Sequence, residues 1–257
     1  MNAEMNLEKI IRFAQSLDES KESVDRLYEF LLVQFKLEKP EVRSFQRNGI
    51  LITFDGHSGA GKDRQMEILA EHMQKDQLYT LRNIIQLTQK REDPFRQVPK
   101  YLWAHPELRS DRGCSLLLLT AGRRYFTCQR LLPLLESPNV VVLQNRSYLS
   151  HVAYHAQSAE ELPQLLSLAD FDPQPDLPFV LHCDVDSAFE RVIKRSPEKG
   201  RVVYANERPD YISRVKKNFE VLGNLVAGLI FIDTSSEVDF ISKGIKDRVN
   251  QYFKVRT

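Results

Sequence analysis

The stretch ILITFDGHSGAGKD, Ile50 to Asp63, restricts what this chain can fold into more than any other part of it. Ile50 to Phe54 is a continuous apolar, β-branched run of the kind that forms a parallel strand covered on both faces. Gly56, Gly59 and Gly61 follow at once. They let the backbone turn tightly, so that successive N–H groups can point at one anion. Lys62 comes next, at the start of a helix expected over Lys62 to Gln74, and adds a full charge to the positive end of that helix. Buried strand, Gly56-x-x-x-x-Gly61-Lys62 loop and helix together describe a cradle for a polyphosphate, walled by His57, Ser58, Gly59 and Ala60. One position disagrees. Asp63 stands where Ser or Thr ordinarily offers a hydroxyl to Mg²⁺. Its carboxylate either takes over that contact, since hard cations prefer oxygen, or repels the phosphates. At about 4 Å and an effective dielectric near 20 that repulsion is about 4 kcal/mol, so Asp63 is tolerable chiefly where it touches a cation.

The remaining pattern fits one large α/β domain. Further strands are expected at Leu78–Leu87, Val140–Gln144, Phe179–Val185 and Leu229–Ile232, with helices at Ser115–Leu135, Ser187–Arg195 and Pro209–Leu222. This alternation implies a doubly wound parallel five-stranded sheet with flanking helices and with ligands at the carboxyl ends of the strands. Ahead of it, Leu7, Ile10, Ile11, Ala14 and Leu17, then Val24, Leu27, Leu31 and Phe35, recur at helical spacing. The expected organisation is an N-terminal helical extension over residues 1–46 and a P-loop domain over 47–257. A net charge of +1 argues against nucleic acid and an anionic membrane as partners. Cys114, Cys128 and Cys183 lie far apart, as reduced thiols do in a cytoplasmic protein, and suggest no metal cluster. The opening MNAEMNLEKIIRFAQSLDES is acidic and reads neither as a secretory signal nor as a transit peptide. No stretch of the sequence approaches a membrane span.

A second anomaly lies in VVVLQNRSYLSHVAYH, Val140 to His155, where a strand ends at Asn145-Arg146-Ser147 and Ala153-Tyr154 follows. The segment resembles the Asp-Arg-Tyr…Ser…Ala-Tyr segment of the thymidylate kinase family. Asp55-Gly56…Gly61-Lys62 is similar to that family's Glu-Gly…Gly-Lys, and Arg91-Glu92-Asp93-Pro94 to its Arg-Glu-Pro turn. The helix from Leu116 to Arg123 resembles the one that carries Ala-Asp-Arg. DLPFVLHCDVDSAFERVIKR, Asp176 to Arg195, resembles the segment that runs into the lid. These pieces fall in order over residues 49–250, and the P-loop kinase fold they imply agrees with the strand pattern.

The resemblance implies transfer of the ATP γ-phosphoryl, with Mg²⁺, to a nucleoside 5′-monophosphate such as dTMP, in a homodimer. Lys62, Arg146, Arg195 and Arg201 would surround the transferring group, since phosphoryl transfer needs positioning and charge stabilisation above all. Gly56 to Asp63 would bind ATP. Arg91 would hold the acceptor phosphate as a guanidinium fork. Arg123 would donate to the base, with Leu119 in place of the family's stacking aromatic one turn earlier. His151 would reach the base edge, and Tyr154 would pack on the deoxyribose. In the family the metal-side acid of Asp-Arg-Tyr occupies the position of Asn145, so Asp63 is expected to supply the charge that Asn145 lacks. Two other readings stand beside this one. Asn145-Arg146-Ser147 also resembles the Glu-Arg-Ser of deoxynucleoside kinases, for which Glu92 would be the base acting on a sugar hydroxyl. The departures at Asp63 and Asn145 also suit a non-catalytic nucleotide-binding module.

Overall fold

The structure, a computed structural model, describes residues 3–35, 45–80, 82–88, 112–198 and 203–256. In chain order its principal elements are α1 (Ala3–Gln15), α2 (Lys21–Gln34), β1 (Ile50–Gly56), α3 (Lys62–Lys75), β2 (Asn83–Leu87), α4 (Arg112–Phe126), α5 (Leu132–Glu136), β3 (Val140–Asn145), α6 (Tyr148–His155), α7 (Leu162–Leu168), β4 (Leu177–His182), α8 (Val185–Glu198), α9 (Pro209–Leu225), β5 (Ile230–Asp233) and α10 (Val238–Arg256). Two compact units contain them, one from Met1–Gln46, Gln89–Pro133 and Gln164–Pro173, the other from Arg47–Thr88, Leu134–Pro163 and Gln174–Thr257.

The second unit holds the sheet, five parallel strands in the order β2-β3-β1-β4-β5. Every residue of β1 is buried, as the apolar run requires of a central strand. Met66, Leu69, Ala70 and Met73 of α3 and Ile241, Ile245, Val249 and Phe253 of α10 belong to one core with Ile52, Phe54 and Phe179. Burial of a side chain such as Phe54 is worth about 1.5–3 kcal/mol. Register then sets the site. Phe54 lies opposite Asn145 on one side and Phe179 on the other, so the loop after β1 emerges beside the end of β3. Strand order reverses between β1 and β3, which is where open α/β sheets bind ligands.

In the first unit α1 and α2 pack on α4. Ile10, Ile11, Ala14, Leu27 and Leu31 are buried there at the expected helical spacing. Ser20 starts α2 by accepting the N–H of Ser23 on its hydroxyl at 3.2 Å.

Among the expected boundaries that move, three have a visible cause. Leu78 and Tyr79 are not strand residues, because Asp76 caps a 3₁₀ turn at Gln77–Tyr79 and accepts the Leu78 N–H at 2.9 Å. Tyr79 instead packs edge-on against Phe253 at 5.0 Å. The strand expected up to Val185 ends at His182, where Asp184 accepts the Ser187 N–H at 2.7 Å and opens α8. The helix expected over Ser115–Leu135 is interrupted by a π-helical turn at Thr127–Leu131. Among the described residues no helix is long and apolar enough to cross a membrane.

Candidate active site

The glycine loop is held from behind by β4 and α8. A Cβ on Gly59, whose φ is +80°, would stand 2.2 Å from the Ala188 carbonyl oxygen, so no other residue fits. Arg191 on α8 donates to Gly59 O at 3.3 Å and to Thr234 O at 2.9 Å, tying the loop to the segment after β5. Sequence reasoning passed over Arg191 in favour of Arg195. Their separation of one helical turn on α8 was the available signal.

His57 is the buried pin of the loop. Its Nδ1 donates to Ser58 O at 2.9 Å and its Nε2 accepts the Cys183 N–H at 3.2 Å, an arrangement that requires the neutral ring. Burial, and then the charges of Lys62 and Lys216, lower its pKa to about 4 against the pull of the Ser58 carbonyl. An unfolded histidine titrates near 6.5. The stability that His57 contributes is therefore complete above about pH 6.5 and is lost as pH falls toward 4, a change on the order of 3 kcal/mol. Urea unfolding of the native chain and of His57→Gln over this range measures it. The variant should lose less stability than the native chain between pH 6.5 and 4, and parallel pH profiles would assign the acid sensitivity elsewhere.

Lys62 is buried, and its Nζ donates to Gly56 O at 3.1 Å and His57 O at 2.7 Å. Burial, followed by the nearby Arg146 and Arg195, holds its pKa well below the usual lysine range, with Asp63 and Asp55 pulling the other way. Arg146 follows β3 in the left-handed conformation, at φ 67°, and its N–H bonds Phe54 O at 3.0 Å. Its guanidinium lies 4.7 Å from the centre of the Tyr154 ring. Burial opposes its charge, but Tyr154, and behind it Asp63 and Asp55, outweigh burial and raise its pKa.

Asp55 explains why this turn holds. Its fully buried carboxylate accepts the Ser147 N–H at 2.8 Å, the Ser147 hydroxyl at 2.7 Å, the Ser150 N–H at 3.1 Å and the Ser150 hydroxyl at 2.6 Å. Ser147 in turn caps α6. Sequence reasoning used Asp55 only as part of a motif. Ser147 and Ser150, three apart after a strand, were its legible partners.

The two anomalous residues meet. Asn145 Nδ2 donates to Asp63 Oδ1. A carboxylate only accepts, so the contact fixes the orientation of the amide and turns Oδ1 away. That Oδ1 is buried, and no donor among the described residues reaches it. A carboxylate and an orphaned amide oxygen form a donor set that suits a hard divalent cation.

Of the other expected site residues, Tyr154 lies against the loop. Arg195 pairs with the buried Glu207 at 3.0 Å. The Tyr154 hydroxyl lies 3.3 Å from Ser58 Oγ in the loop, and its backbone carbonyl accepts the Tyr211 hydroxyl at 2.7 Å. The His151 ring packs tilted against His155, with centroids 4.6 Å apart. Within the first unit, Leu119 and Arg123 lie one turn apart on α4. Arg123 is gripped by the buried Asp172, Nε to Oδ2 at 2.6 Å and Nη2 to Oδ1 at 3.2 Å, and Thr127 also donates to that carboxylate. Asp172 was not foreseen, since it lies 49 residues from Arg123 in a segment without a motif. Arg91, Glu92 and Arg201 lie outside the described residues.

Comparison with known proteins bears on this geometry. The family model for thymidylate kinase matches residues 54–245. The chain is 26% identical to the thymidylate kinase of Desulfotalea psychrophila, over 80% of this chain and 97% of that one. It is 22% identical to the probable thymidylate kinase of Methanosphaera stadtmanae, over 79% and 99%. Among solved structures, the thymidylate kinase of Ehrlichia chaffeensis superposes with a TM-score of 0.57 at 20% identity, covering 79% of this chain and 99% of that one. The Candida albicans thymidylate kinase gives 0.59 at 17%, covering 80% and 93%. With its parallel sheet, its glycine loop and a family match across most of its length, the chain belongs to the thymidylate kinase family of ATP-dependent nucleotide kinases.

Proposed function

We propose that this protein transfers the γ-phosphoryl group of ATP to the 5′-phosphate of a deoxynucleoside monophosphate, with dTMP the acceptor. The state of Lys62 carries the reading. Its buried ammonium donates to Gly56 O at 3.1 Å and His57 O at 2.7 Å, carbonyls of the loop itself, and an anion with several charges offsets the cost of burying it. The loop from Gly56 to Asp63 supplies converging N–H groups for that anion. Lys62, Arg146 and Arg195, with Arg201 on the strength of the resemblance alone, then stabilise charge on the transferring group. The left-handed turn at Arg146 and the Tyr154 ring 4.7 Å from its guanidinium hold this side chain in place, which lessens the reorganisation needed at the moment of transfer.

On the acceptor side the resemblance alone assigns Arg91 to the monophosphate, Leu119 and Arg123 to the base, and His151 and Tyr154 to base and sugar. Asp172 keeps the Arg123 fork rigid. An acceptor phosphate is already anionic and needs cations rather than a general base. A divalent cation, when bound, neutralises charge on the β- and γ-phosphates, and Asp63 is the residue that holds it. The resemblance further supports a cytoplasmic homodimer.

The test is phosphoryl transfer from ATP to each nucleoside and each monophosphate, with and without Mg²⁺, with sedimentation of the same samples. Turnover is expected on dTMP, only with Mg²⁺, at twice the mass of one chain. Turnover confined to nucleosides replaces the acceptor, and ATP binding with no turnover makes the protein a binding module. A single-chain mass removes the dimer.

A further inference from the structure

The geometry points to Asp63 and Asn145 acting as one unit, in which Asn145 is the positioning residue for a carboxylate that ligates the cation; this rests on the nucleotide-kinase reading. Asp63 is exposed in the first turn of α3, where a short side chain has several rotamers available. Asn145, at the end of the neighbouring strand, removes that freedom by donating Nδ2 to Asp63 Oδ1. One carboxylate oxygen is thereby engaged and the other is oriented. The planar amide leaves its own Oδ1 buried and without a donor. An orphaned oxygen of this kind costs about 1–3 kcal/mol unless something satisfies it. The remaining oxygen of the oriented Asp63 carboxylate is then free for a hydrated Mg²⁺ or Mn²⁺, which takes oxygen ligands and keeps several waters.

Charge argues the same way. Were Asn145 an aspartate, two carboxylates would stand in direct contact, each raising the pKa of the other. An amide satisfies the geometry without the repulsion. The pair then adds one negative charge rather than two to the surroundings of Lys62 and Arg146, where Asp55 also lies. The anionic ligand comes from the start of α3, and the strand end supplies the neutral partner.

The readout is ADP affinity by calorimetry with and without Mn²⁺, which separates cation binding from nucleotide binding and from turnover. In the native chain Mn²⁺ should tighten ADP. Asp63→Asn should cut that enhancement at least tenfold while leaving the affinity for ADP alone equal or tighter. Asn145→Ala should cut it about tenfold, as loss of a group that orients a metal ligand does. The double variant should be no worse than Asp63→Asn, because Asn145 acts through Asp63. Asn145→Asp should keep the enhancement, and its melting temperature should rise more with Mn²⁺ than that of the native chain. A native Mn²⁺ enhancement in Asp63→Asn overturns the assignment, and additive losses in the double variant overturn the positioning role. No ADP binding to the native chain under any condition fails the nucleotide reading itself, a separable result.

Discussion

Lys62→Met lowers kcat by about a thousandfold or more while the fold survives. A group that stabilises charge only as it develops on a transferring phosphoryl has effects of about 10²–10⁵ when removed. Among the described residues no carboxylate pairs with Lys62 to be left stranded. Its Nζ bonds two carbonyls, Gly56 O and His57 O, and both belong to the loop it serves. Methionine keeps the unbranched stem and its packing, and it removes a buried charge that burial already disfavours. Thermal stability should therefore hold or rise as activity collapses. Steady-state rates with saturating ATP and dTMP, together with a melting curve, check both halves. A variant that unfolds, or one within tenfold of native activity, would remove Lys62 from the centre of the reaction.

Asp55→Ala costs about 3–5 kcal/mol, a large share of the 5–15 kcal/mol that holds a domain together. It strands four buried donors at once, two N–H groups and two hydroxyls of Ser147 and Ser150. It also frees the turn that keeps Arg146 at φ 67°, a conformation that costs about 1–2 kcal/mol for a non-glycine residue. Asp55→Asn is the informative companion. One oxygen still accepts, but an NH₂ now faces donors, so stability should fall less than in the alanine variant while kcat falls with KM for ATP little changed. Pairing Asp55→Asn with Ser150→Ala removes a donor along with its acceptor, and the double variant should be more stable than the sum of the two losses predicts. Urea unfolding of the four proteins measures this coupling. Simple additivity would show that the carboxylate does not work through Ser150.

The acid sensitivity expected of His57 belongs with these two effects, because all three concern the same loop. Lys62 donates to its carbonyls, His57 pins it to the Cys183 N–H, and Asp55 anchors the turn beside it. A change at any of the three displaces the place where phosphate is to sit, by way of different bonds. Catalytic loss with stability intact marks Lys62. Loss of both marks Asp55. Loss of stability below about pH 6.5 marks His57.

Strand, glycine loop and helix from Ile50 to Lys75 could be read from the chain because each depends on neighbours. Burial of a β-branched run, positive φ at Gly56, Gly59 and Gly61, and the helix start at Lys62 are decided within a few residues. The five strands and the helices 3–15 and 21–34 followed from periodicity for the same reason. Leu78 and Tyr79 misled because their apolar character serves packing against α10, whose Phe253 is 174 positions beyond Tyr79 in the chain. Charged and polar pairings were beyond reach in principle. Asp55 finds Ser147 across 92 positions, Asp63 finds Asn145 across 82, and Asp172 finds Arg123 across 49. The order β2-β3-β1-β4-β5 brings the end of β1 beside the end of β3, and only that adjacency makes partners of Asp63 and Asn145. Local backbone preference wrote the phosphate loop into the sequence. Which side chains steady it was left to the sheet, because a hydrogen bond depends on a separation of about 3 Å in space and is indifferent to separation along the chain.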